Sequence, residues 1–238
     1  MKLRGVRGFS AAAALALAAA GCRGGGDAKP RPAPTAVKQV ASQAVKRARA
    51  VPPPPPPVTM PPRLPDGSYT WAGLHYLEKV TGGAKKNDAL PLVVMLHGHG
   101  QSPERFFHAF DDFHGRARFI FPYGRPEGAG YAWLPPRASH HDMLPQLTHT
   151  LPPEANRIAR AIQAIAAKRP TTGKPIVVGF SQGATLSYGL ALLHPDAITA
   201  AFPVSGTLPP QLMRGRQRRS GPLPEVHGFH GTADRAVD

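Results

Sequence analysis

Residues 176–183 read IVVGFSQG, an apolar run that leads directly into Gly-Phe-Ser-Gln-Gly. The run has the length and β-branched content of a buried strand, and the segment up to Leu193 has the composition of a helix. A Gly-x-Ser-x-Gly sequence between a strand and a helix is typical of a nucleophile elbow, in which a tight turn exposes the serine hydroxyl. The pattern therefore predicts that Ser181 is a nucleophile and that neither Gly179 nor Gly183 can carry a side chain.

Apolar runs and amphipathic segments alternate on both sides of this stretch. We predict strands over residues 90–96, 117–121, 175–180, 198–204 and 225–229, and helices over residues 103–113, 153–167 and 182–193. Ser102 is the expected N-cap of the first helix, with Pro103 at its first position. Strands that alternate with helices indicate an α/β fold, with a mostly parallel sheet and helices on both faces. Functional residues of such folds lie beyond the carboxyl ends of the strands.

The glycine-rich segment HGHG, residues 97–100, follows the first of these strands. Glycines let the backbone approach a ligand closely, and a backbone N–H in such a loop can donate to an oxyanion. The N–H groups of His99 and Gln182 are the expected pair of donors. His97 and His99 could instead hold a metal ion, together with further His or carboxylate ligands. The only other cluster of that kind is His140-His141-Asp142, in a proline-flanked loop.

A third motif, HGFHGTAD, occupies residues 227–234. Leu-His-Gly-x-Gly, Gly-Phe-Ser-Gln-Gly and His-Gly-x-x-Asp, in this order and spacing, resemble the phospholipase/carboxylesterase group of the α/β-hydrolase superfamily over roughly residues 71–238. The resemblance implies a serine esterase or thioesterase that transfers the acyl group of a small ester to Ser181, with Asp234 orienting the catalytic histidine. It implies no metal or organic cofactor, and it places the loop with Tyr131, Trp133 and Leu134 near the acyl pocket. The alternative for Trp133 is that it only caps the core.

The position of the catalytic histidine separates two interpretations. The order of the triad in this superfamily is Ser, Asp, His, and the last histidine of the sequence is His230, before Asp234. We therefore expect residues 68–238 to be an α/β-hydrolase domain without its final strand, helix and histidine, either as a fragment or as a shortened gene product of a longer esterase. The alternative is a non-catalytic cell-envelope protein with a hydrolase-like fold, and the coding sequence beyond Asp238 distinguishes the two. A metal-dependent hydrolase built on His97 and His99 is a third possibility.

The first 22 residues have the pattern of an export signal. Basic residues at positions 2, 4 and 7 precede an apolar run of ten residues, 11–20, which ends at Gly21-Cys22. A bilayer-spanning helix needs roughly 20 apolar residues, so a cleaved signal is favoured. The sequence Ala19-Ala20-Gly21-Cys22 resembles the lipobox of bacterial lipoproteins, which implies acylation of Cys22 and attachment to a membrane of the cell envelope. Residues 23–67, rich in Pro, Gly, Ala and basic residues, are the expected disordered linker.

Net charge does not indicate a nucleic-acid partner. The chain has 238 residues, with 29 Lys and Arg against 14 Asp and Glu, a formal charge of +15. Residues 1–70 hold 11 of the basic and 2 of the acidic residues, a surplus of 9, which leaves a surplus of 6 for the rest of the chain. Because most of the excess lies in the signal and linker, the charge characterises the tether more than the folded domain.

Overall fold

The computed structural model describes residues 64, 66–135, 143–208, 210, 212–213 and 223–234. The strands are β1 Tyr69–Trp71, β2 Leu74–Val80, β3 Leu92–Leu96, β4 Arg118–Pro122, β5 Arg125–Glu127, β6 Gly130–Ala132, β7 Ile176–Phe180, β8 Ala200–Val204 and β9 Glu225–Val226. The helices are α1 Pro103–Ala109, α2 Met143–Lys168 and α3 Gln182–Leu193. The predicted signal, Cys22, residues 23–63 of the linker and the His140-His141-Asp142 cluster lie outside the described residues.

Seven of these strands form one sheet in the order β1-β2-β4-β3-β7-β8-β9. From β4 to β9 all neighbours are parallel, whereas β1 and β2 form an antiparallel hairpin whose second strand pairs with β4. Every residue of β3, β4 and β8 is buried, as expected for parallel strands covered on both faces. The prediction of an α/β fold with a mostly parallel sheet is confirmed, and the β1–β2 hairpin is an addition to it.

Helices cover both faces of the sheet and create two apolar layers. On one face α2 and α3 pack against alternate strand residues such as Val94 and Val177. On the other face α1 contributes Phe106, which packs with Val93 and Val178. The alternation of Val93 and Val94, and of Val177 and Val178, between the two layers follows from the two-residue period of a strand. The sheet therefore lies between two apolar cores, and packing on both faces holds its strand ends in place.

Helix α2 is longer than the sequence predicted. It begins at Met143, ten residues before the predicted start, and it contains Pro152 and Pro153 in its interior. A proline inside a helix removes a hydrogen bond and costs about 3 kcal/mol, which is why the prediction began at residue 153. Leu147 and Leu151, from the segment before these prolines, are buried in the same core as Ile158. Burial of that additional apolar turn offsets the cost of the prolines.

Two other elements are shorter than predicted. Helix α1 ends at Ala109 instead of residue 113 because the chain turns there, and both Phe110 and Phe113 pack their rings against Phe119. Ser102 is its N-cap residue as predicted, but its side chain makes no capping hydrogen bond. Strand β9 ends at Val226, and beyond it Phe229 forms a single bridge to Val204. None of the helices in the described ranges combines the length and apolar character needed to cross a bilayer.

Candidate active site

Ser181 lies at the junction between β7 and α3, at the carboxyl edge of the sheet. Its backbone has φ 52° and ψ −113°, a conformation in the left-handed half of the map that a residue with a β-carbon rarely adopts. The turn is held by the Ser181 N–H, which donates to the carbonyl of Val204 at 2.9 Å. The Ser181 carbonyl in turn accepts from the N–H groups of Ala184 and Thr185. The surrounding structure thus stabilises a strained backbone conformation at this position.

The two glycines of the motif are required by close backbone contacts. A β-carbon on Gly179 would lie 2.1 Å from the carbonyl oxygen of Gly183, and one on Gly183 would lie 2.3 Å from that of Leu96. Both distances are far shorter than van der Waals contact, and the atoms met belong to rigid backbone. The prediction that neither position can carry a side chain is confirmed. The first turn of α3 therefore packs directly on the end of β3, next to the HGHG segment.

Backbone N–H groups at the start of α3 and in the HGHG loop differ in whether they have a hydrogen-bond acceptor within the described part of the protein. Gly98 donates to Oε1 of Gln101 at 2.9 Å, and Gly100 donates to the carbonyl of Tyr131 at 2.9 Å. The N–H groups of His99 and Gln182 have no acceptor among the described residues. An unpaired N–H at a helix start carries the positive end of the helix dipole and can stabilise an anion. This arrangement is compatible with the predicted oxyanion donors, whose role stays a prediction.

The side chain of His97 is buried and used within the protein. Its Nδ1 donates to the carbonyl of Gly98 at 2.8 Å, and its Nε2 accepts from the N–H of Gly124 at 3.1 Å. Burial lowers the pKa of His97 from 6.5 to about 4, so the ring is neutral at pH 7. Because both ring nitrogens have backbone partners, His97 offers no lone pair to a metal ion. Within the ranges that the structure describes, no three His, Cys, Asp or Glu side chains come together as a metal site.

The side chain of His99, unlike that of His97, is not buried. Its imidazole is about half exposed, and its Nε2 lies 2.8 Å from Oε2 of Glu127. Glu127 belongs to the β5–β6 hairpin, which packs so closely on the loop that a β-carbon on Gly130 would lie 2.2 Å from the carbonyl oxygen of Gly100. The hairpin thus fixes the outer side of the loop that presents the His99 N–H.

The side chain of Gln182 has a function that the sequence did not reveal. Its Oε1 accepts from the N–H of Trp133 at 2.6 Å, and its Nε2 donates to the carbonyl of Leu134 at 3.1 Å. The motif assigned a role only to its backbone, and nothing in the sequence indicates these two partners, which lie 48 and 49 positions away. Trp133 itself is buried, with its ring 4.6 Å from that of His97.

A cavity of about 20 Å³ adjoins Gln182. It is room for about one water molecule, and its walls are formed by Leu134, Pro135, Gln146, Leu147, Thr150, Gln182, Thr185 and Thr207. Leu134, predicted to lie near an acyl pocket, lines this cavity, whereas Trp133 packs inside the core.

Asp234 follows β9, the neighbour of β8 in the sheet. Its side chain is mostly buried, and its Oδ2 lies 3.4 Å from Nε2 of His230. The segment that leads to His230 is anchored beside the elbow, because the carbonyl of Phe229 accepts from the N–H of Ser205 at 2.8 Å. The carboxyl ends of β7, β8 and β9 therefore bring Ser181, Ser205 and the segment up to Asp234 to one edge of the sheet. The assignment of Asp234 as the catalytic acid stays a prediction.

Comparisons with known proteins agree with this architecture. The family model described as phospholipase/carboxylesterase matches residues 78–238. The chain is 28% identical over 209 residues to a protein of Nocardia uniformis subsp. tsuyamanensis named as a putative esterase, NocK. The match covers 86% of this chain, and the chain spans only 57% of that relative's length.

Solved structures show the same fold at low sequence identity. Esterase PE8 superposes with a TM-score of 0.53 at 24% identity, over 67% of this chain and 78% of its own. A carboxylesterase from Mesorhizobium loti superposes with a TM-score of 0.53 at 18% identity, over 72% of this chain and 90% of its own.

Proposed function

Because this chain belongs to the phospholipase/carboxylesterase family of α/β-hydrolases, we propose that it hydrolyses a carboxylic ester by acyl transfer to Ser181. The observation that carries the proposal is the backbone of Ser181, whose φ of 52° places its hydroxyl at a strained turn ahead of α3. Strain of this kind costs roughly 1–3 kcal/mol and clusters at functional sites.

The proposed reaction has two steps. The Ser181 hydroxyl attacks the carbonyl carbon of the ester while a general base removes its proton, and the carbonyl oxygen becomes an oxyanion. The N–H groups of His99 and Gln182 donate to that oxyanion. Its collapse expels the alcohol, which takes the proton from the base, and leaves an acyl group on Ser181. Water then attacks the acyl group with the same base, which releases the acid and restores the serine.

A histidine oriented by Asp234 is the proposed base. A serine hydroxyl is a weak nucleophile without such a base. In the order of the triad, this histidine follows Asp234. The carboxylate holds the imidazole in the tautomer that can accept the proton and stabilises the imidazolium that forms.

Steady-state hydrolysis by the full-length gene product tests this proposal. We expect turnover of p-nitrophenyl acetate or butyrate, and a fall in kcat by at least about 10³-fold in Ser181→Ala. Ser102→Ala is the matched control, since the Ser102 side chain at the start of α1 makes no capping hydrogen bond, and it should leave kcat unchanged. Turnover that survives in Ser181→Ala, or that EDTA abolishes, would contradict the serine mechanism. A folded full-length protein without turnover would favour the non-catalytic alternative.

We also propose that the protein is attached to a membrane of the bacterial cell envelope through lipid on Cys22. The support is the signal-like pattern of residues 1–22, which ends at the single Cys of the chain. Each CH₂ group of an acyl chain that is buried in the bilayer contributes about 0.8 kcal/mol to membrane binding, and two or more chains give lasting attachment. In a Triton X-114 separation the wild type should enter the detergent phase and Cys22→Ser should not. Equal partitioning of both would contradict lipid anchoring.

A further inference from the structure

The predicted oxyanion donors belong to segments that are joined by buried side chains. We propose that His97 is a positioning residue whose imidazole fixes the peptide unit that carries the His99 N–H, and that the side chain of Gln182, through Trp133, holds this imidazole in place. The inference rests on the proposed function, because it explains how that reaction's two donors are aligned.

The first step concerns the peptide unit between Gly98 and His99. Its carbonyl is the acceptor for the His97 Nδ1–H at 2.8 Å and also receives the N–H of Gln101 at 3.3 Å. The unit is planar and trans, so its N–H points opposite to its carbonyl. A fixed direction for the Gly98 carbonyl therefore fixes the direction of the His99 N–H, the one N–H of residues 98–101 without an acceptor among the described residues.

The second step concerns the tautomer of His97. A carbonyl oxygen only accepts, so Nδ1 must carry the proton, and the N–H of Gly124 requires a lone pair on Nε2. One neutral tautomer satisfies both partners, and the imidazolium would turn a second N–H toward the Gly124 N–H. The His97 side chain is fully buried, and Nε2 is occupied. His97 therefore cannot itself take the proton of Ser181, and its contribution is to orientation.

The third step links His97 to the elbow. The indole N–H of Trp133 donates to the carbonyl of His97 at 2.8 Å, and the two rings pack with centroids 4.6 Å apart. The side-chain amide of Gln182 accepts from the N–H of Trp133 and donates to the carbonyl of Leu134. Gln182, which supplies one of the two donors, thus holds Trp133 in place. Trp133 in turn packs on His97, which positions the other donor. Both donors are parts of a single hydrogen-bonded chain in the interior of the domain.

Kinetics of three variants of the full-length gene product test this inference. His97→Leu removes both hydrogen bonds of the ring, whereas His97→Asn keeps an N–H donor close to the position of Nδ1. Trp133→Phe keeps an aromatic ring and removes the donor to the His97 carbonyl. His108→Asn is the control, since the His108 side chain is 72% exposed. An oxyanion donor acts in the transition state, so misalignment lowers kcat without raising KM.

We expect kcat to fall about 10- to 100-fold in His97→Leu, less than the roughly 10²–10³-fold of a donor removed outright. KM should stay within about twofold of the wild-type value, and His97→Asn should recover part of kcat. Trp133→Phe should lose about 3- to 10-fold. A trifluoromethyl ketone, which forms a tetrahedral adduct on the serine, should lose affinity in parallel with kcat/KM across the series. The matching methyl ketone should lose none.

Unchanged kcat in His97→Leu, an effect confined to KM, or an affinity for the trifluoromethyl ketone that does not follow kcat/KM would overturn the inference. If His97→Leu does not fold, His97→Asn and Trp133→Phe decide by the same criteria, and equality of both with the wild type overturns it as well. Failure of the proposed function gives a different result, because the wild type itself then shows no turnover that depends on Ser181.

Discussion

Nε2 of His230 lies 3.4 Å from Oδ2 of Asp234, so the carboxylate assigned as the catalytic acid has an imidazole neighbour four residues before it in the chain. His230 belongs to the strand-end motif and is about two-fifths exposed, whereas Asp234 is mostly buried. Two arrangements are compatible with this geometry: Asp234 orients a histidine that follows it, or His230 is itself the base. The first is the proposed one, and the two predict different effects of substitution.

Asp234→Asn should lower kcat by roughly 10³- to 10⁴-fold, because an amide favours the wrong tautomer of the catalytic imidazole. His230→Gln should lower kcat by less than about tenfold, since it removes only a neighbour of the acid. Steady-state kinetics on p-nitrophenyl acetate with the full-length gene product measure both effects. A loss in His230→Gln as large as that in Asp234→Asn would identify His230 as the base and refute the proposed order.

Gly183→Ala should lower the free energy of unfolding of the domain. The added β-carbon would lie 2.3 Å and 2.6 Å from the carbonyl oxygens of Leu96 and His97, neither of which can rotate away. We expect a loss of about 3 kcal/mol, at the upper end of overpacking effects, measured by urea denaturation. Gly231→Ala is the control, because its β-carbon would meet only ordinary contacts at 3.9 Å. An equal stability of both variants would contradict the packing described for the elbow.

Stability should fall between pH 6.5 and pH 4 through His97. Burial holds the pKa of His97 at about 4 in the folded protein, against 6.5 when the ring is free. In this window the unfolded chain binds a proton that the folded chain does not, so folding becomes less favourable as the pH decreases. The full difference corresponds to about 3 kcal/mol at 1.36 kcal/mol per pH unit.

Urea denaturation at several pH values measures this dependence, and ¹⁵N NMR of the imidazole tests its origin. Nδ1 should stay protonated and Nε2 unprotonated down to about pH 4. His97→Asn should remove most of the pH dependence in this window, whereas His108→Asn should not. An imidazole of His97 that titrates near 6.5 would contradict the buried, neutral state.

The sequence predicted the parts of the site that depend on local geometry. The elbow was predictable because its strand, turn and helix are consecutive, and α3 has the predicted bounds of 182–193. The connection of Gln182 to Trp133 was not predictable, because it depends on how the segment after β6 folds back across the start of α3. The start of α2 was wrong for a similar reason, since burial of Leu147 and Leu151 overrides the local preference of two prolines.

The most direct measurement is covalent labelling of the full-length gene product with a fluorophosphonate, followed by mass spectrometry of the digested protein. The probe phosphonylates an activated serine, so the experiment can be done without knowing the natural ester substrate. The account predicts one adduct per chain, on Ser181, that is absent in Ser181→Ala and retained in Ser102→Ala and in the presence of EDTA. An adduct on another residue, or labelling that persists in Ser181→Ala, would contradict the assignment of Ser181 as the nucleophile.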